Sequence, residues 1–369
     1  MLILGIMSGT SIDSVDYALC EVCMKRIRLV RHWQAQFPAS LKRRLHAAAR
    51  GESSSHEVGQ LHHDLGRFYA DRAREGLKRQ RPRLVGLHGQ TIHHHPHPKA
   101  PATLQIGEPA YLVEALRLPV VNNFRSADIA AGGQGAPLAT LFHRAVFAQP
   151  GHHICVNNLG GISNVTSIDC RRGRFNIRAF DTGPSNVLLD LATRHFTNGR
   201  MPFDEDGRWA ARGKADGRVL REWLKHAYFR QPPPKSTGRE LFGEAFFMRK
   251  LTELKRLSRF DVMATLTEFT ARSLVLNYQF HLSSWPDVVI LTGGGAANPC
   301  LVDRIRQQLR KGHTGTKLVT SDQLGWPTQA MEAAAFALLA YYRWMGCAGN
   351  IPETTGAKRA ALLGQISEP

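Results

Sequence analysis

The apolar positions of this chain fall into short runs divided by longer stretches with helical spacing. Strand-like runs lie at 1–6, 17–23, 84–87, 119–122, 154–158, 175–179, 288–291 and 317–320. They are short, rich in Val, Ile and Leu, and bounded by Gly, Pro, Asn or Ser, as buried strands are. Between them, apolar residues recur at three- and four-residue spacing over 56–80, 136–147, 185–195, 262–282, 298–310 and 328–344, which predicts amphipathic helices. Strand and helix signals alternating from end to end predict an α/β architecture. Pro150-Gly151 breaks a helix, so a boundary is expected near 149–151, giving lobes at 1–150 and 151–369, with the last helix able to pack back on the first lobe. The run Gln231-Pro232-Pro233-Pro234-Lys235 reads as a stiff extended loop inside the second half.

One pattern repeats at long range. Three apolar runs give way to turns of small residues: Met7-Ser8-Gly9-Thr10-Ser11, Leu159-Gly160-Gly161-Ile162-Ser163-Asn164, and Thr292-Gly293-Gly294-Gly295-Ala296-Ala297-Asn298. Glycine there lets the backbone approach a phosphate or purine closely. Backbone N–H groups and hydroxyls in such a turn converge on an anion. Asp13 and Asp16 follow the first turn, where a carboxylate can hold a divalent cation against that anion. The third turn leads into a helix, whose N-terminus adds partial positive charge. Two turns opening comparable halves suggest duplicated lobes with a nucleotide between them, and hence a phosphotransferase. The first turn taken alone reads equally as a polar hairpin, and it is no P-loop, because no G-K-[ST] follows.

Composition narrows the class. A length of 369 residues suggests two domains, and 43% hydrophobic content supplies ordinary cores. No apolar stretch approaches the ~20 residues of a membrane span, and the first residues lack the charged leader of a signal peptide. The cysteines at 20, 23, 155, 170, 300 and 347 are scattered, which fits reduced thiols in a cytoplasm better than a disulfide framework. Cys20 and Cys23 sit three apart in a strand, on opposite faces, and read as structural. The net charge is +18, and residues 25–99 alone hold 16 Lys and Arg against 5 Asp and Glu. Such charge attracts nucleic acid. These charges lie on helical stretches at 41–50 and 65–83 without aromatic interleaving, so solvated helix faces are the reading, and neither nucleic acid nor membrane is an expected partner. The tract Ile92-His93-His94-His95-Pro96-His97 matches no metal-site spacing and reads as a polar loop.

Candidate chemistry gathers at a few loop mouths. Asp181, in Phe180-Asp181-Thr182-Gly183-Pro184-Ser185-Asn186, stands where a strand meets a helix. It reads either as a base for proton removal in phosphoryl transfer or as the cap of the helix that follows. Arg125 offers a planar fork to a carboxylate. Gln90, Gln105 and Gln134 can read hydroxyls or amides. Glu332 begins an Ala-rich helix, where it complements the dipole or meets a hydroxyl.

The motifs in order carry a resemblance. They are GIMSGTSIDSVD at 5–16, HGQTIHHHP at 88–96, TLQIGEP at 103–109, AAGGQGAPL at 130–138, NLGGISN at 158–164, FDTGP at 180–184, PPPKSTGREL at 232–241, GGGAANP at 293–299 and MEAAAFA at 331–337. Together they resemble, essentially end to end, the anhydro-N-acetylmuramic acid kinase family, in the superfamily of sugar kinases, Hsp70-type ATPases and actin. The resemblance implies a two-lobed actin-like ATPase (ribonuclease H-like) fold with βββαβα-type cores, each lobe a mixed sheet flanked by helices, and ATP held between the lobes. It implies Gly9, Thr10, Ser11, Asp13, Ser14 and Asp16 as the first phosphate loop, with Asp13 meeting Mg²⁺ directly or through water. Gly160, Gly161, Ser163 and Asn164 would form the second loop, and Gly293, Gly294, Gly295 and Asn298 would border adenosine. Asp181 would be the catalytic base. Arg125 would take the lactyl carboxylate, and His88, Thr91, Gln105, Gln134 and Glu332 the sugar.

The reaction so implied opens the 1,6-anhydro ring with water and phosphorylates O6, giving N-acetylmuramic acid 6-phosphate and ADP, in cell-wall recycling. A cytoplasmic homodimer is implied too. Three positions depart from the family pattern: Ser14 and Ser185 stand where Gly is usual, and Asn123 where Asp is usual. A weakly catalytic relative that binds muropeptides or anions, and a kinase for another sugar, are the rival readings.

Overall fold

The computed structural model describes residues 1–24, 26–96, 100–171, 173 and 175–369. In chain order the strands are β1 (Leu2–Ser8), β2 (Ser14–Cys23), β3 (Arg26–Gln36), β4 (Leu84–His95), β5 (Ala102–Ile106), β6 (Val120–Asn122), β7 (His153–Leu159), β8 (Ile162–Asp169), β9 (Asn176–Pro184), β10 (Val288–Thr292), β11 (Lys317–Thr320) and β12 (Gln365–Ser367). The chain forms two compact units: Met1–Phe147 with Gln329–Pro369, and Ala148–Thr328. The residues after 328, assigned from sequence to the second lobe with leave for the last helix to return, thus cluster with the first.

The first unit holds a sheet in the order β12-β6-β4-β1-β2-β3, with β5 on β4. The second holds β11-β10-β7-β8-β9. Both share one plan. A three-strand antiparallel meander (β1–β3; β7–β9) is joined by two strands parallel to its first member (β4 and β6; β10 and β11). Helices separate the later strands, which is the expected βββαβα order in duplicate, built on two mixed sheets.

Alternation along β1 decides how the first unit is layered. Leu4 and Ile6 enter a core with Leu41 and Leu45 of the helix Ala39–Ala49 and with Leu61, Leu65 and Tyr69 of the helix Ser55–Leu77. Gly5 points to the other face. A Cβ there would overlap the Ala333 carbonyl, and one on Gly86 of β4 would overlap that of Phe336. These two glycines let the Ala-rich helix Thr328–Trp344 lie directly on the sheet. In the second unit, Cys155, Val165, Phe180 and Val289 pack against Leu274 and Tyr278 of the helix Arg259–His281 and against Leu301 and Ile305 of the helix Pro299–Gly312. A second core of Trp223, Phe229, Phe242, Phe246 and Phe269 adjoins it.

Several expectations change in detail. The His tract is no loop: β4 runs through His95 and pairs His93, His94 and His95 with Leu104, Thr103 and Ala102 of β5. His97 lies outside the described residues. Cys20 is buried and Cys23 exposed, on opposite faces as expected, and all six cysteines are free thiols. Among the described residues no helix is long and apolar enough to cross a membrane.

Candidate active site

Asp181 lies inside β9 rather than at its end, because the strand continues to Pro184. The β8–β9 ladder pairs Asn164 with Asp181 and Ser163 with Gly183, so Thr182 is an extra residue. Such a bulge bends the strand and re-aims a side chain. Thr182 turns inward, its hydroxyl 2.7 Å from Ser163 Oγ, while Gly183 takes φ +119° against the Phe229 ring. Asp181 is then held on three sides: its N–H donates to Lys235 O (3.2 Å), its carbonyl accepts from Tyr228 Oη (2.8 Å), and its Oδ2 accepts from Thr237 N (2.8 Å). Burial pushes the carboxyl up to about 6, and Glu240 adds to this, while the Thr237 N–H and the Lys235 charge oppose it. Asp181 does not cap the next helix, Asn186–Phe196. The first N–H groups there, with that of Ser185, bond the carbonyls of Gly160 and Gly161.

Those bonds fix the second glycine turn. Gly160 and Gly161 join β7 to β8, and Asn186 Nδ2 donates to Leu159 O at 3.0 Å. The third turn packs on the same point, since a Cβ on Gly293 (φ +81°) or Gly295 would press into Leu159. The structure thus brings two of the three turns together in one unit. Ser163 differs from expectation: it is buried, and its hydroxyl is engaged by Asn157 Nδ2 (2.7 Å) and Thr182. Asn164 is half-buried opposite Asp181. Asn298 spends its side chain capping the helix Pro299–Gly312 through Leu301 N. Beside the third turn a cleft of about 140 Å³ is lined by Ala296, Ala297, Val302, Arg306, Leu318 and Gln323.

In the first unit the turn after β1 exposes Thr10, Ser11 and Asp13. It is closed by Ile12 N to Gly9 O (3.1 Å) and braced by Gln90 Nε2 on Gly9 O (3.1 Å). The residue in left-handed conformation is Ile12 (φ +56°). Ser14 opens β2 in register with Gln36, so replacing Gly there imposes no positive-φ strain. Burial would raise the Asp13 carboxyl, but hydrogen bonds from Lys42 (2.7 Å) and Ser11 outweigh it and hold the group below its usual range. Asp16 accepts from Gln34 Nε2 at 2.7 Å. Among the described residues no group of three or more His, Cys, Asp or Glu is placed to cage a metal. Mg²⁺ keeps most of its waters and takes one or two carboxylates beside phosphate, and the exposed, ionised Asp13 fits that mode.

Arg125 and His88 form a single device. Arg125 Nε donates to His88 Nε2 (3.1 Å) and its Nη1 to Gly135 O (2.6 Å). His88 Nδ1 lies 2.7 Å from Gly89 O. A guanidinium only donates, so His88 is neutral with its proton on Nδ1. Burial, then Arg125, drive its pKa well down. Both ring nitrogens are occupied and the residue is 4% exposed, so His88 orients Arg125 and does not face a sugar. Burial lowers Arg125 to about 10 against the pull of Glu332 and Asp128. It stays cationic, and its Nη2 takes part in neither of these two bonds.

Glu332 still meets solvent, yet surrounding protein and then Asp16 raise its carboxyl, with Arg125 opposing. Thr91 and Gln105 face each other across β4 and β5, with Gln105 Nε2 3.3 Å from Thr91 Oγ1. Gln134 is exposed, its N–H on Thr355 O.

Sequence reasoning passed over Asp128, which is fully buried and accepts from Gly135 N, Asn350 Nδ2 and Thr355 Oγ1, each at 2.7 Å. It shapes the Gly132–Gly135 loop that carries Arg125's anchor. A sign was present: a lone acid inside an apolar helical stretch four residues before a glycine cluster. A groove of about 510 Å³ along β3, lined by Arg31, Trp33, Phe68 and Arg72, contains none of the proposed catalytic or sugar residues.

The chain is similar at 39% identity to the anhydro-N-acetylmuramic acid kinase of Crocosphaera subtropica, over 100% of this chain and 99% of that one. Identity is also 39% to that of Acaryochloris marina, over 99% of both. Among solved structures it is similar to an activator of 2-hydroxyisocaproyl-CoA dehydratase from Clostridium difficile, with a TM-score of 0.46 and 11% identity over 94% of this chain and 96% of that one, too remote to bear on the site. A family model for anhydro-N-acetylmuramic acid kinase matches residues 1–369. On full-length identity well above the level at which kinship is in question, the chain belongs to the anhydro-N-acetylmuramic acid kinase family.

Proposed function

We propose that the chain is an ATP-dependent kinase that hydrolyses the 1,6-anhydro ring of 1,6-anhydro-N-acetylmuramic acid and phosphorylates O6, releasing N-acetylmuramic acid 6-phosphate and ADP in cell-wall recycling. The observation that carries the chemistry is Asp181: a carboxylate with one oxygen pinned by the Thr237 N–H and its other oxygen left to take a proton. With its pKa at about 6, about nine in ten molecules are ionised at pH 7, and the conjugate acid is not too weak to return the proton later. Asp181 takes a proton from water as its oxygen bonds to the anomeric carbon. The C1–O6 bond breaks, and O6 receives the γ-phosphoryl group. A positioned base contributes typically ~10²–10⁴-fold.

Other roles follow from the residues' free groups. The outer edge of Arg125 suits a bidentate carboxylate, which the lactyl group supplies. Glu332, Thr91, Gln105 and Gln134 offer acceptors and donors to sugar hydroxyls and the acetamido group. The N–H groups of Gly9, Thr10 and Ser11, with Gly160, Gly161 and Asn164, serve phosphate. Gly293, Gly294, Gly295 and the cleft beside them take adenosine. Asp13 would hold Mg²⁺, with Asp16 nearby, and the ion would neutralise phosphate charge. The family resemblance supports a cytoplasmic homodimer, which light scattering tests.

The deciding experiment is coupled ADP release with ATP and the anhydro sugar, followed by mass spectrometry of the product. ADP formed with the anhydro sugar, with a product heavier by one water and one phosphoryl group, is the expected result. No ADP with that sugar, or equal rates with simple hexoses, overturns the proposal.

A further inference from the structure

The segment Pro232–Thr237 has no role in the reaction as described, yet it makes most of the contacts to Asp181. Lys235 O accepts the Asp181 N–H, and Thr237 N donates to its Oδ2. What anchors this loop is the Lys235 side chain, half-buried rather than solvated. Its ammonium donates to Tyr228 O (3.1 Å) and Phe229 O (3.4 Å), lies 3.1 Å from His281 Nε2, and sits 4.7 Å from the centre of the Tyr228 ring. Tyr228 in turn donates its hydroxyl to Asp181 O. A lysine loses much of its hydration and side-chain freedom in such a cage. Surface lysines are not held this way, and among the described residues no Asp or Glu forms an ion pair with it.

We propose that Lys235 is a positioning residue for the base: its ammonium ties the 232–237 loop to the 228–229 carbonyls so that the loop grips Asp181. This rests on the reading of Asp181 as base. The groups that face the pair are Glu240 from the helix Arg239–Phe242, Tyr228 from the 3₁₀ turn Ala227–Arg230, and His281 from the helix Arg259–His281. Glu240 works against ionisation of Asp181, and Lys235 works for it. Tyr228 stays neutral, since burial and then Asp181 push its hydroxyl far above neutral pH. His281 is kept neutral by burial, with Lys235 adding to the effect. Burial lowers Lys235 itself to about 8, and Asp181 counters this, so the cation is present at neutral pH.

The test is the kcat–pH profile between pH 5 and 9 for the full chain with ATP and the anhydro sugar, comparing wild type with Lys235→Met and Lys235→Arg. Lys235→Met is expected to lose about 10- to 100-fold in kcat, the scale of a misplaced catalytic group, with the KM for ATP within about twofold of wild type. Its acid limb moves to higher pH. Lys235→Arg keeps the charge and restores the limb towards wild type. Lys235→Gln replaces Lys235→Met where the latter does not fold, since it retains a donor and removes the charge. An active wild type with an unmoved acid limb in the folded neutral variant overturns this inference and leaves the kinase reading intact. A wild type that releases no ADP overturns the kinase reading itself.

Discussion

Replacing Asp128 by Ala strips the common acceptor from three buried donors: Gly135 N, Asn350 Nδ2 and Thr355 Oγ1, all at 2.7 Å. Each donor left without a partner costs about 1–3 kcal/mol. Relief of a buried charge, and water entering the vacated space, return part of that. A net loss of about 4 kcal/mol is expected, at the high end for single substitutions. All three donors belong to the first unit, so the loss is local to it. Hydrogen exchange read by peptide is the suitable assay, because a chain of two units need not unfold in one step. Protection in segments 124–136 and 350–361 should fall by roughly 10³-fold, while peptides of the second unit keep theirs. The sugar's KM should rise as well, because the Gly135 carbonyl that steadies Arg125 is released. Asp128→Asn, which keeps the shape and one acceptor oxygen, should lose about half as much stabilisation. Protection within about threefold of wild type in both segments, or an equal loss throughout the second unit, would refute the reasoning.

Asp181→Asn should lower turnover by ~10²–10⁴-fold with nucleotide affinity unchanged by calorimetry. The same change should raise Tm at pH 7.5: the fold lifts this carboxyl to about 6, so its ionisation opposes folding above that pH, and the gain should vanish by about pH 4. In the wild type, kcat should fall about tenfold per pH unit below 6, as a pH-jump series of initial rates will show. Arg125→Ala should raise the sugar's KM by tenfold or more with a smaller change in kcat, and Arg125→Lys should not restore it, because a point charge has no fork. Ser185 Oγ is buried with no hydrogen-bond partner among the described residues, so Ser185→Ala should stabilise by about 1 kcal/mol in scanning calorimetry.

The long helices and the strands buried on both faces were legible because their periodicity is undiluted. What escaped has physical causes. β3 is an edge strand whose Arg, His and Gln residues are exposed or half-exposed, so no apolar run announces it. β8 follows a glycine turn that masked its start, and β5 owes its form to pairing with β4. The Asp181 motif was visible, but not the bulge that aims it, since bulges follow from register between strands distant in sequence. His88 and Arg125 each stood out as polar groups in a loop mouth. That one spends both ring nitrogens orienting the other depends on a contact 37 residues apart. Lys235 acts largely through backbone carbonyls, which carry no mark in side-chain identity, and Asp128 through Asn350 and Thr355, more than 200 residues away in sequence.

The helix that rests on Gly5 and Gly86 has a consequence for birth on the ribosome. The strands it covers are made first, but the covering segment, 329–369, is made only after the whole of 148–328. The later-encoded unit therefore has all its parts while the earlier one still exposes a bare, glycine-flattened sheet face. Such a nascent surface invites chaperones, and maturation is expected to run inside out along the message, the middle setting first and the beginning waiting for the end.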